Sequence, residues 1–128
     1  MSRNQTMSKI LHLLKQHLRL LFLTALALVT VLMLWPFPPS NEGWIYTDKI
    51  QHVLVFCMLS YLGIQAYSRW PGRIAIGLMV YGAAIELLQA ALTSTRQASL
   101  ADWLADCVGI ALGFIIYYYF HQTDVARI

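Results

Sequence analysis

The chain has 128 residues, 59% of them apolar and only 12% charged, where a soluble domain carries roughly 45–50% and about 25%. With a mean hydropathy of +0.58, that balance excludes an ordinary soluble domain and points to an integral membrane protein. The formal net charge of +3 would otherwise raise nucleic acid as a partner. Here the basic residues gather on one side of the apolar stretches, where membrane topology accounts for them, and no nucleic-acid contact is expected.

Residues 1–17 form a basic amphipathic segment. Met7, Ile10, Leu11, Leu14 and Leu18 recur at helical spacing, with Lys9, His12, Gln16 and Arg19 on the other side, which suits a helix resting on an anionic leaflet. The alternative is a plain positive flank to the first span. Residues 18–120 are expected to form a four-helix transmembrane domain, and 121–128 a short cytoplasmic tail. Leu18 to Trp35 is almost wholly apolar and is followed by Pro36, Pro38 and Pro39, so it reads as an uncleaved first span ended by proline. Trp44 and Tyr46 look like interfacial belt residues. A second helix is predicted from about Asp48 to Ser68 and a third from Ile74 to Leu92, separated by a basic Pro–Gly turn at 69–73. The fourth runs from about Leu100 to Phe120. Cys57 and Cys107 fall on separate apolar segments with no metal-ligand spacing, so a packing role is expected rather than a disulfide.

Placing the N-terminus in the cytoplasm puts Arg3, Lys9, Lys15, Arg19, Arg69, Arg73 and Arg127 inside, and only Lys49 and Arg96 outside. The positive-inside rule therefore predicts an all-α, polytopic bundle of four transmembrane helices, N-in and C-in.

Under that topology the polar residues collect toward the outer face. Asp48 with His52, Glu86 with Gln89, and Asp102 with Asp106 each sit three or four residues apart on one helical face. Glu86 lies about 20 Å beyond Arg73 at ~1.5 Å per residue, inside the hydrocarbon layer. A central Asp or Arg costs on the order of 2.5–3.5 kcal/mol on insertion scales, so such groups need a partner, a proton or water. Gly82 precedes Glu86 by one turn, and Gly109 and Gly113 continue the Asp102 face, a small-residue stripe that admits a neighbouring helix or a second copy of the chain. One polar pocket open to the outer surface follows. Asp48 and Ser99 would also serve as helix caps, Lys49 as a snorkelling cation, His52 as a structural histidine and Arg96 as a loop charge. Glu86 and Asp106 are at no helix end and have no such role.

The ordered set Asp48-Lys49-x-x-His52, Glu86-x-x-Gln89, Arg96, Ser99, Asp102, Asp106 and Gly109-x-x-x-Gly113 resembles the VanZ-like family of small integral membrane proteins, over about Thr47 to Tyr117. The family takes its name from a glycopeptide-resistance protein associated with lowered teicoplanin susceptibility. The resemblance implies a multi-pass protein of the bacterial cytoplasmic (inner) membrane and cell envelope, with shared polar residues at Asp48, Lys49, His52, Glu86, Gln89, Arg96 and Asp102. Where Asp106 stands, the family pattern commonly has Asn.

Counting Lys49 and Arg96 against Asp48, Glu86, Asp102 and Asp106 leaves the pocket two charges negative, a surplus that a proton on Glu86 or Asp106 or a bound cation would offset. Three functions fit. In the first, Lys49 and Arg96 hold the anionic headgroup of an outer-leaflet amphiphile (a lipid, a lipid-linked wall precursor or an amphiphilic drug), with His52 and Glu86 as candidate catalytic acid–base groups. In the second, the cluster fixes helix packing in a non-enzymatic membrane subunit. In the third, His52, Glu86, Asp102 and Asp106 hold a hard divalent ion, though no dedicated ligand motif is present and no cofactor is expected. No Ser or Cys nucleophile stands beside an obvious base, so no reaction is assigned.

Overall fold

A computed structural model describes residues 2–36, 45–93 and 97–125, with the side chains of 45–47 and 123–125 left aside. Among the described residues four helices follow in order: α1 (Arg3–Leu34), α2 (Ile45–Ala66), α3 (Pro71–Leu92) and α4 (Leu100–Val125). No strand occurs among the described residues. Cys57 and Cys107 are free.

The order of contacts sets the direction of each helix. Arg19 and Phe22 of α1 meet Ala66 and Gly63 of α2, so these two run antiparallel. Trp103 reaches back to Met79 while Ser99 lies against Glu86, so α3 and α4 are antiparallel as well. Lys49 pairs with Asp102 and His52 with Asp106, which makes α2 and α4 parallel neighbours. Their closeness has a sequence cause. A Cβ at Gly109 would strike the Val53 carbonyl oxygen, and one at Gly113 would strike Ser60 Oγ. Bare backbone at both positions lets the two axes approach, and the glycine stripe is used within the chain.

α1 is a single helix of 32 residues, about 48 Å at ~1.5 Å per residue. It passes from the basic N-terminal stretch into the apolar one without a break, and starts with a reciprocal Ser2–Gln5 capping box. α3 begins at Pro71 rather than after it. Proline's missing N–H costs nothing in a first turn, so the residue that reads as a breaker is a starter here. α4 continues to Val125, past the expected end at Phe120.

α2 occupies the centre, and Phe56, Leu59, Ser60 and Ile64 are wholly buried. Outward-facing leucines, isoleucines and valines such as Leu20, Leu28, Ile76, Val80, Leu87 and Ile115 cover the outside of the bundle, as a bilayer solvent requires. α1, α3 and the Leu100–Gln122 part of α4 are long and apolar enough to cross a membrane. The expectation of four spans is met for these three. α2 falls short because its opening turns carry Asp48, Lys49, Gln51 and His52, a polarity that a helix sheltered by its neighbours can carry.

Candidate functional site

The polar residues of α2, α3 and α4 meet where α2 and α4 begin and α3 ends. They form two layers. In the outer layer, half-exposed Lys49 Nζ donates to Asp102 Oδ1 at 3.0 Å. Exposed Asp48 lies beside them, with a ligating atom of Asp48, His52 and Asp102 each within 4.8 Å of the others. Asp48 and Asp102 sit in the first turns of parallel helices, where the exposed N–H groups favour negative charge.

The inner layer is buried. His52, Glu86 and Asp106 are only 2%, 4% and 1% exposed. His52 Nδ1 lies 2.7 Å from Asp106 Oδ1. With Asp106 ionised, its carboxylate accepts from Nδ1–H and the ring turns Nε2 toward Glu86. Glu86 Oε1 stands 4.0 Å from that Nε2, beyond hydrogen-bond reach. Asp106 Oδ2 is packed against Gly82, where an added Cβ would come within 2.8 Å of it. Glu86 Oε1 and Asp106 Oδ2 are both buried without a hydrogen-bond partner.

The remaining bonds explain how four separate segments hold this arrangement. Ser99 Oγ accepts the Asp102 N–H at 3.2 Å and so caps α4. In the usual box the residue at Asp102 would take the Ser99 N–H in return. Instead Glu86 Oε2 of α3 accepts that N–H at 3.1 Å, leaving the Asp102 carboxylate to pair with Lys49. A carboxylate within an apolar helix thus completes another helix's cap. Gln89 points the other way. Its Nε2 donates to the Met33 carbonyl at 2.7 Å, one of the last four carbonyls of α1, which have no partner within their own helix.

Of the eight residues singled out from the sequence, Asp48, Lys49, His52, Glu86, Asp102 and Asp106 come together. Gln89 belongs to the α1–α3 contact, and Arg96 lies outside the described residues. Sequence reasoning passed over Trp103, whose indole Nε1 donates to the Met79 carbonyl at 2.9 Å and holds α4 against α3. The available signal was an indole in an apolar stretch, since a buried indole N–H needs an acceptor.

Long apolar helices enclosing charged groups define a helical membrane protein with a buried polar cluster near one end of the bundle. Within that class, the sequence pattern of the VanZ/LLP1 family matches residues 2–121, and the chain belongs to that family. No curated protein and no solved structure matches it.

Proposed function

We propose that the protein spans the bacterial cytoplasmic membrane four times, N-in and C-in. In this reading its charged cluster recognises the headgroup of an outer-leaflet amphiphile: a lipid, a lipid-linked envelope precursor or a lipoglycopeptide antibiotic such as teicoplanin. The seven-to-two distribution of basic residues supports the orientation. One observation carries the site: two buried carboxylate oxygens, Glu86 Oε1 and Asp106 Oδ2, have no protein partner. A cluster built only to lock helices together gains by satisfying each of its members, so two open buried acceptors support a ligand that brings donors of its own, such as the hydroxyl or amine groups of a headgroup. Lys49, half exposed beside Asp102, is given the anion-holding role at the mouth, and Arg96 is assigned the same role from the sequence alone.

A second reading has its own support. Lys49–Asp102, His52–Asp106 and Glu86–Ser99 join α2 to α4 and α3 to the start of α4, the pattern expected of a non-enzymatic subunit whose polar core sets helix register. Glu86→Gln and Arg96→Ala separate the two. The expected outcome is normal membrane amounts of both variants with loss of protection against teicoplanin in a host whose envelope the drug reaches. Loss of abundance alone, or of a co-purifying protein, returns the cluster to a structural role.

A further inference from the structure

The end of the bundle away from the charged cluster gathers charge of the opposite sign. Arg19 of α1 lies against Ala66, the last residue of α2, and beside them a cavity of about 480 Å³ opens between α1 and the α2–α3 turn. Lys15 and Arg19 line it from one side, and Tyr67, Ser68, Arg69 and Trp70 from the other. The acids Asp48, Glu86, Asp102 and Asp106 stand at the opposite end of the bundle. Asp124 belongs to α4, which packs against α2 and α3 rather than α1. Among the described residues no carboxylate pairs with Lys15, Arg19, Arg69 or Arg73.

Cations that merely flank a membrane span are solvated one by one. These converge. Lys15 and Arg19 share a face of α1 one turn apart, where like charges repel, and the turn brings Arg69 to the same cavity. Neutral partners hold two of the guanidinium groups in place. Arg19 Nε donates to the Ala66 carbonyl at 3.4 Å, one of the carbonyls that the end of a helix leaves open. The same guanidinium lies 5.1 Å above the Tyr67 ring. That uses one of its N–H donors and leaves the Nη groups to an incoming oxygen. Arg73 lies over the Trp70 ring at 4.1 Å and adds its charge nearby. Positioned cations with no anion between them form a site whose ordering cost is already met.

We infer that this cavity binds the phosphate of one anionic phospholipid, with Lys15, Arg19 and Arg69 holding its oxygens and the Ser68 hydroxyl adding a neutral donor. The surroundings favour a lipid over a soluble phosphate. Tyr67 and Trp70 are amphipathic aromatics of the kind that sit at headgroup depth. The same helix faces continue into exposed Leu23, one turn beyond Arg19, and exposed Ile76, three residues beyond Arg73, which gives the acyl chains an apolar track. In the orientation proposed above, this end meets the cytoplasmic leaflet, whose anionic headgroups attract basic clusters. The site is separate from the charged cluster and does not depend on what that cluster recognises.

The test uses the full chain in a neutral detergent, with native mass spectrometry to count retained lipid. The expected result is one phosphatidylglycerol held per chain in preference to phosphatidylcholine, which carries the same phosphate without net charge. Lys15 and Arg69 are exposed at the cavity wall, so Lys15→Gln and Arg69→Gln should insert normally. Each should weaken retention about fivefold, the scale of one basic residue at an anionic surface. Arg3→Gln removes the same charge from the exposed start of α1 and should leave retention unchanged. Equal retention of the two lipids, or an Arg3→Gln loss as large as that of Lys15→Gln, overturns the site in favour of diffuse attraction. Displacement of the lipid by millimolar inorganic phosphate assigns the cavity to a soluble phosphate and overturns the lipid. The lipid comparison and the phosphate competition use wild type alone, so they decide even if a variant proves unstable.

Discussion

The contact of α2 with α4 and the attachment of α1 to α3 follow opposite logic, the first built on glycines and charged pairs, the second on neutral side chains that reach across to one another or to a carbonyl. Along the α2–α4 seam two glycines let the backbones nearly touch, and charged pairs then span the narrow gap at 2.7 and 3.0 Å. Between α1 and α3 no glycine sets the separation. The links are single hydrogen bonds: Gln89 to the Met33 carbonyl, and Tyr81 to Thr30 at 2.7 Å and to the Leu26 carbonyl at 3.3 Å. Steric exclusion fixes the first contact to within tenths of an ångström. The second tolerates adjustment, because a side chain reaching a carbonyl can swing and still reach it. A site that depends on atomic spacing belongs on the first kind of contact, and the charged cluster is found there.

The comparison breaks most completely at Gly109. A side chain there meets the Val53 carbonyl and the Cys57 amide nitrogen, both main chain, and neither can rotate away. Gly109→Val should force α2 and α4 apart, exceed the usual 1–3 kcal/mol of overpacking, and abolish the monodisperse species in detergent gel filtration. A variant that elutes like wild type would show that the glycine is not what sets the seam.

Gly82→Ala is the next largest and more selective. Its Cβ would lie 2.8 Å from Asp106 Oδ2 and 3.3 Å from the Phe56 ring. The carboxylate has to turn aside, which strains the 2.7 Å bond its other oxygen makes to His52. The expected cost is about 1–3 kcal/mol, the range for a buried polar group left without its partner. It should be read as a lowered thermal midpoint in a folded, membrane-inserted protein. Asp106→Asn in the Gly82→Ala background should then cost less than in wild type, because the two changes act on one contact.

How much of this the sequence disclosed depends on the range of the interaction. Four helices, their approximate ends and the gathering of Asp48, Lys49, His52, Glu86, Asp102 and Asp106 were legible, because helical spacing and the high cost of charge in lipid act residue by residue. The role of Gln89 was not. At three residues from Glu86 it shares that residue's face, yet a long side chain on a crowded helix can turn to either neighbour, and only the position of the α1 terminus decides which. The role of Glu86 was half legible: its place in an apolar helix marked it as special, but its service to the Ser99 cap depends on the start of α4 lying against α3, thirteen residues away in sequence. Pro71 misled for a local reason, since a proline that ends one helix and one that begins the next look alike without the backbone around them.

The smallest expected effect sharpens the contrast from the α1 side. Gln89→Leu removes the donor to the Met33 carbonyl and adds no bulk to the α2–α4 seam. Hydrogen bonds between membrane helices average about 0.6 kcal/mol and reach roughly 1.7, so the variant should lose no more than that in a detergent unfolding titration. If α1 is a flank attached independently of the cluster, Gln89→Leu and Gly82→Ala should add within about 0.5 kcal/mol in the double variant. Marked non-additivity would mean that the end of α1 helps to position Glu86, one turn away on α3, and that the charged cluster is held by all four helices rather than by the seam and α3 alone.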